Sequence, residues 1–113
     1  MAGRRIFVYG TLQFPAIARA VTGRSLAARP ARLPGFARYR VRDAPYPGIV
    51  PRAGSGVPGL LYEGVDAAAL ARLDEFEGPM YRRERVAVEL SRDGSRLHAE
   101  AYVVRPRWRS ALC

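Results

Sequence analysis

One carboxylate in this sequence stands where a carboxylate is hard to accommodate. Residues 67–77 read as a helix, and at about 100° per residue Ala69, Leu70, Leu73 and Phe76 fall on one apolar stripe, predicted to be buried. Glu75 lies opposite that stripe and Asp74 at its border. Glu77 behaves differently: it follows Leu73 by four positions and Leu70 by seven, and so shares their face. Burial disfavours the charged form of a carboxyl group, and the negative end of the helix dipole lies close by. Both effects move its titration toward neutral pH, which is what acid–base catalysis requires. The competing reading is structural, with Glu77 swinging past the helix end into water or pairing with Arg82 or Arg83.

Three further groups have chemical potential. Tyr9-Gly10-Thr11-Leu12 stands between a short apolar run and a helix. Glycine at such a turn lets neighbouring N–H groups converge as an anion cradle; the plainer reading is an ordinary turn. Tyr46-Pro47-Gly48-Ile49 is a proline-stiffened segment carrying an aromatic, suited to lining a site and equally to packing. His98, the single histidine, sits between Leu97 and Ala99 on a predicted strand and reads as a surface or structural residue. A serine-hydrolase triad would need that histidine with no Gly-x-Ser-x-Gly turn to accompany it, and is rejected. One histidine and one cysteine, Cys113, make no zinc site of the usual kind and no internal disulfide.

These groups must be positioned by the surrounding elements. Residues 6–9, Ile-Phe-Val-Tyr, predict a buried strand closed by Gly10. Pro15 suits the first turn of a helix over residues 15–22, which Gly23 ends. Alternation over residues 31–42 predicts a strand with one wet face, bent or bulged at Pro34-Gly35. The Pro- and Gly-rich stretch 43–56 reads as a structured loop with at most a short strand at Ile49-Val50. A strand over 57–65 follows, then Asp66 as N-cap of the helix 67–77, which Gly78-Pro79 stops. Val86, Val88 and Leu90 alternate with polar neighbours, and Arg92-Asp93-Gly94-Ser95 turns the chain back into a strand over 97–104. The order predicts one mainly antiparallel α+β domain, with closure into a small barrel as the way to cover its sheet edges.

Composition narrows the function classes. The chain has 113 residues, one domain's length, with 49% hydrophobic and 26% charged residues, as in ordinary globular proteins. The net charge of +9 comes from 19 basic residues, all of them Arg. They are spread along the chain, no basic run interleaves with aromatics, and GC-rich coding accounts for the bias, so nucleic acid is not the expected partner. The apolar run behind the basic N-terminus is four residues long, shorter than a leader peptide or the about 20 residues of a membrane span. The expectation is a cytoplasmic protein without a membrane partner.

Taken together, Tyr9-Gly10-Thr11-Leu12, Leu73-Asp74-Glu75-Phe76-Glu77-Gly78 and Tyr81-Arg82-Arg83 resemble the γ-glutamylcyclotransferase-like superfamily. The segments Leu33-Pro34-Gly35-Phe36, Tyr46-Pro47-Gly48-Ile49-Val50-Pro51 and Val57-Pro58-Gly59-Leu60-Leu61-Tyr62 are similar to its avirulence-induced-gene branch, and the resemblance covers residues 6–104. It implies a small mixed β-barrel with flanking helices and a cavity at the end of the first strand. It also implies an enzyme that converts a small-molecule γ-glutamyl amide to 5-oxoproline and free amine, without metal, nucleotide or flavin. Glu77 corresponds to the family's catalytic acid–base residue. The substrate loop corresponds to Tyr9, Gly10, Thr11 and Leu12, extending to Gln13 and Phe14, with Tyr81 and Arg83 shaping the site; Tyr46, on its stiffened loop, is a further candidate for substrate contact. Relatives often continue past the position of Trp108, so contacts made by such a tail lie outside the expectation. The alternative function on the same fold is a non-catalytic module that binds a small ligand.

Overall fold

Period-two alternation in the first strand, β1 (Arg4–Val8), divides the molecule into an inside and an outside. Phe7, followed by Tyr9, turns into one apolar cluster, while Ile6 and Val8 turn into another. The structure is a computed structural model that describes residues 3–113; residues 1 and 2, part of the basic N-terminal stretch considered above, lie outside the described residues.

Four more strands complete the sheet: β2 (Ala27–Arg40), β3 (Pro47–Val65), β4 (Tyr81–Leu90) and β5 (Arg96–Val104). Their spatial order β1-β3-β2-β4-β5 closes into a barrel. Neighbours are antiparallel except β1 and β5, whose parallel pairing of Ile6 with Glu100 and Phe7 with Ala101 seals the ring. The barrel and its mixed sheet agree with the sequence-based expectation, and the ring closes through short seams, two residue pairs each between β1 and β5 and between β2 and β4. Phe7, Leu33, Ile49, Val57, Leu61, Val88 and Val103 fill the interior. Burying each such side chain contributes roughly 1.5–3 kcal/mol before entropy is counted. Gly59 passes so close to the Phe7 ring and the Val8 carbonyl that a β-carbon there would collide with both.

Two helices, α1 (Pro15–Thr22) and α2 (Ala67–Glu77), cover Ile6, Val8, Tyr62, Tyr102 and Val104 on the outside of the barrel. Both have the bounds predicted from sequence. Pro15 opens α1, and Gly23, at φ 73°, takes the left-handed conformation that ends it. Asp66 caps α2 by accepting the Ala69 N–H at 2.8 Å, an interaction worth about 1 kcal/mol. Arg72 donates to the Thr22 carbonyl at 2.7 Å and ties the two helices together. Among the described residues no helix is long and apolar enough to cross a membrane.

The structure corrects two sequence-based expectations here. The stretch 43–56 is not mainly loop, because β3 already begins at Pro47 and pairs with β2 from Arg40 onward. Its prolines fit because Pro47 is the first residue of the strand and Pro51 stands where the ladder jumps from Phe36–Pro51 to Pro34–Gly56. Residues 52–55 bulge out opposite Gly35, whose φ of 81° supplies the predicted kink. Likewise β2 starts at Ala27 rather than residue 31, since residues 27–30 pair with 60–63.

Candidate active site

Where β1 ends, the chain makes a single turn of 3-10 helix, Thr11–Gln13, before entering α1. The C-terminal end of α2 arrives beside this turn, and between them lies a cavity of about 330 Å³. Tyr9, Gly10, Thr11 and Leu12 line one side of it, and Glu77, Tyr81 and Tyr102 line others. Tyr46 and Phe76 stand at its mouth, 45% and 49% exposed. Sequence reasoning placed Phe76 with the buried stripe of α2. Ala69, Leu70 and Leu73 are buried as expected, whereas the last turn overhangs the cavity and leaves Phe76 half in water.

Glu77 is set there by the phase of α2 and by Gly78. The helix ends at once because Gly78 adopts φ 81° and ψ −175°, a region essentially confined to glycine. The Glu77 side chain has no hydrogen-bond or ion-pair partner among the described residues, and its carboxyl oxygens keep some contact with solvent. Both basic candidates are engaged elsewhere: Arg82 binds Glu84 at 2.8 Å, and Arg83 binds Asp74 at 3.0 Å and also Glu100. Glu77 is partly buried, and desolvation with nothing to compensate the charge pushes its carboxyl up to about 7.

The tyrosines around Glu77 are held as neutral walls. Tyr9 donates to the Tyr102 carbonyl at 2.6 Å, Tyr81 to the Pro47 carbonyl at 2.6 Å, and Tyr102 to Asp74 Oδ1 at 2.7 Å. Burial raises the pKa of all three, and the nearby Glu77 charge raises it further. Tyrosinate therefore does not compete with the carboxylate for protons near neutral pH. Tyr62 braces the same turn from beneath, donating to the Leu12 carbonyl at 2.6 Å. Arg38 braces it from outside, with Nη1 donating to the Tyr9 carbonyl at 2.8 Å.

The turn offers donors to a ligand. The N–H groups of Gly10, Thr11 and Leu12 have no acceptor among the described residues, whereas those of Gln13 and Phe14 are used within the turn, bonding to the Gly10 and Thr11 carbonyls at 3.0 Å. Unpaired backbone donors beside a cavity are an anion-binding feature. Among the described residues no three His, Cys, Asp or Glu side chains gather as a metal site.

Of the site residues expected from sequence, Glu77, Tyr9, Gly10, Thr11, Leu12, Tyr46 and Tyr81 come together around one cavity. Gln13 and Phe14 do not line it; they border a groove on the other side of the turn, where Gln13 reaches back to the Gly10 carbonyl at 3.3 Å. Arg83 lies outside the cavity, holding Asp74 and Glu100 on the flank of α2. His98 is exposed on β5. Sequence reasoning missed Tyr102, Phe76 as a mouth residue, and Arg38 as a brace. Parity would have found Tyr102: Ala99, Ala101 and Val103 face the barrel interior, so Tyr102 must face the helix that covers the outside.

Comparison with known proteins places the sequence and the fold. The family model described as gamma-glutamyl cyclotransferase, AIG2-like, matches residues 6–112. Protein AIG2 C of Arabidopsis thaliana is 36% identical over 98 residues, covering 87% of this chain and 59% of that protein. AIG2-like protein C of the same plant is 37% identical over 98 residues, covering 87% of this chain and 57% of that protein. The chain thus spans a little under three-fifths of the length of these relatives. The solution structure of an Arabidopsis thaliana protein, 33% identical, superposes with a TM-score of 0.84 over 96% of this chain and 68% of that one. A solved gamma-glutamyl cyclotransferase, 19% identical, shares the fold at a TM-score of 0.80 over 96% of this chain and 75% of that one. This chain belongs to the gamma-glutamyl cyclotransferase, AIG2-like family.

Proposed function

We propose that the chain is a γ-glutamyl cyclotransferase, converting a γ-glutamyl amide to 5-oxoproline and a free amine with Glu77 as the acid–base group. One observation carries the reading: among the described residues, the one carboxylate lining the cavity, pushed to about 7 by desolvation, shares that cavity with the three N–H groups of the Gly10–Leu12 turn that have no acceptor.

A γ-glutamyl amide contains its own nucleophile, the α-amine, placed to close a five-membered ring on the γ-carbonyl carbon. The protein supplies no covalent nucleophile. Its task is to hold the folded substrate, and such positioning can be worth about 7–11 kcal/mol. The N–H groups of Gly10, Thr11 and Leu12 bind the α-carboxylate. Glu77 as carboxylate removes one proton from the α-ammonium, and the freed lone pair attacks the γ-carbonyl carbon. The bond from that carbon to the departing nitrogen then breaks as Glu77 returns the proton to it. The ring nitrogen sheds its second ammonium proton, which ends on the released amine. The product leaves as an ammonium ion and charge is conserved. The neutral walls of Tyr9, Tyr81 and Tyr102 exclude water and keep Glu77 poised.

The test is incubation with a panel of γ-glutamyl amides, with 5-oxoproline followed by mass spectrometry. Turnover by the parent protein and its loss in Glu77→Gln, with folding retained, are expected. A Glu77→Gln variant that turns over at the parent rate would remove Glu77 from the mechanism. Unchanged substrate after prolonged incubation with the parent protein would leave a binding module.

A further inference from the structure

The cavity does not end at its mouth. A surface groove continues from it along the other side of the Gly10 turn, sharing Tyr9, Gly10, Thr11 and Tyr46 with the cavity wall. Beyond these the groove is bordered by Phe14, Arg38 and Arg40, and no acidic residue lines it. The cavity takes the γ-glutamyl half in the reading above, on which this inference rests. The departing half must therefore lie toward the mouth and the groove.

The side chains there have a definite chemistry. Four large hydrophobic residues are notably exposed among the described residues, Phe14, Tyr46, Phe76 and Trp108. Three of the four border this mouth and groove, with Phe14 at 62% the most exposed. Solvent-facing aromatics concentrated at one opening mark a surface that awaits apolar contact. Arg38 and Arg40 add positive charge on the same rim. Neither has a carboxylate partner among the described residues, a state they share with most of the arginines, and no acidic side chain in the groove competes for them. Arg38 spends one N–H on the Tyr9 carbonyl, whereas Arg40 makes no side-chain hydrogen bond there. A guanidinium presents a planar fork matched to a carboxylate.

We propose that the preferred substrates are γ-glutamyl conjugates whose amine half is aromatic and carries a carboxylate. The ring packs among Phe14, Tyr46 and Phe76, and the carboxylate faces Arg40. Small neutral alkylamine conjugates are poorer ligands, because they leave both features unused.

Four probes separate the two contributions: γ-glutamyl-phenylalanine, γ-glutamyl-phenethylamine, γ-glutamyl-alanine and γ-glutamyl-ethylamine. Their affinities for Glu77→Gln, measured by titration calorimetry, report recognition without turnover. This keeps the result separate from the fate of the cyclisation reading, which turnover by the parent protein decides. The expected order places γ-glutamyl-phenylalanine first. The ring should be worth about tenfold, as for a packed aromatic pair, and the carboxylate about fivefold, as for an exposed ion pair. Adding Arg40→Gln should abolish the difference between the phenylalanine and phenethylamine conjugates, and adding Phe14→Ala should shrink the difference between the phenylalanine and alanine conjugates. Both residues are exposed, and unchanged melting of the two variants checks that they fold. Equal affinity for all four probes, no binding of any, or a carboxylate preference that survives Arg40→Gln would overturn the proposal.

Discussion

Asp74 and Glu77 stand one helical turn apart at the same end of α2, yet their surroundings drive them in opposite directions. Burial pushes the Asp74 carboxyl up, but hydrogen bonds from Arg83 and from the Tyr102 hydroxyl outweigh it and hold Asp74 below the usual carboxylate range. Glu77 receives no such donors, and burial alone lifts it to about 7. The flank of α2 is thus a closed network of Arg83, Asp74, Tyr102 and Glu100, whereas the cavity side keeps one carboxylate uncompensated. The donors that reach each carboxyl, Arg83 and Tyr102 at Asp74 and none at Glu77, set the two titrations apart at this helix end.

Under the proposed function, neutralising Glu77 should have the largest effect. Glu77→Gln should lower kcat/KM for a γ-glutamyl amide by about 10²- to 10⁴-fold, the usual contribution of a general acid–base group, as read by 5-oxoproline formation. Its effect on stability should run the opposite way. Because folding raises the Glu77 pKa above its unfolded value, the folded state binds more protons between about 4.5 and about 7, and stability falls as pH rises through that window. Glu77→Gln removes this loss, so denaturant melts at pH 8 should show the variant more stable by roughly 3 kcal/mol. At pH 4 the gap should close.

The next effect concerns the residue that ends the helix. Gly78→Ala forces a side chain into the conformation at φ 81° and ψ −175° and should destabilise the protein by on the order of 1–3 kcal/mol, measured by chemical unfolding. Activity should fall further than stability, since the Glu77 carboxyl would shift in the cavity. Asp74→Asn is the mildest change. Its carboxylate is partly exposed, so the loss at neutral pH should be about 1 kcal/mol. The Asp74 pKa is depressed by folding, so its contribution is present above the unfolded pKa and fades as pH falls through the folded one. An Asp74→Asn variant that abolished turnover while leaving the Glu77 titration unmoved would blur the proposed division of roles.

Local rules made much of this architecture legible. The bounds of both helices follow from Pro15, Gly23, Asp66 and Gly78, because helix ends are set by local capping chemistry. The position of Glu77 on the apolar face follows from the same periodicity. What the sequence concealed depends on partners distant in the chain. The first half of β3 is punctuated by Pro and Gly like a loop, and only the pairing of residues 36–40 with 47–51 makes it a strand. Closure rests on two parallel pairs between β1 and β5, nearly a hundred positions apart. Tyr102 was hidden for a related reason, since its place in the cavity depends on which helix covers that face of β5. Phe76 was misplaced because helical phase gives the direction of a side chain but not whether the neighbouring surface extends far enough to cover it.

The claim on which this account stands is that the Glu77 carboxyl, unlike that of Asp74, is still half protonated near neutral pH. A carbon-13 NMR titration of the side-chain carboxyls, with the Glu77 resonance assigned from Glu77→Gln, measures this directly. The expected midpoint for Glu77 is near 7. A midpoint near the ordinary 4.5 would mean that water or an unseen donor reaches the carboxylate, and would contradict that claim.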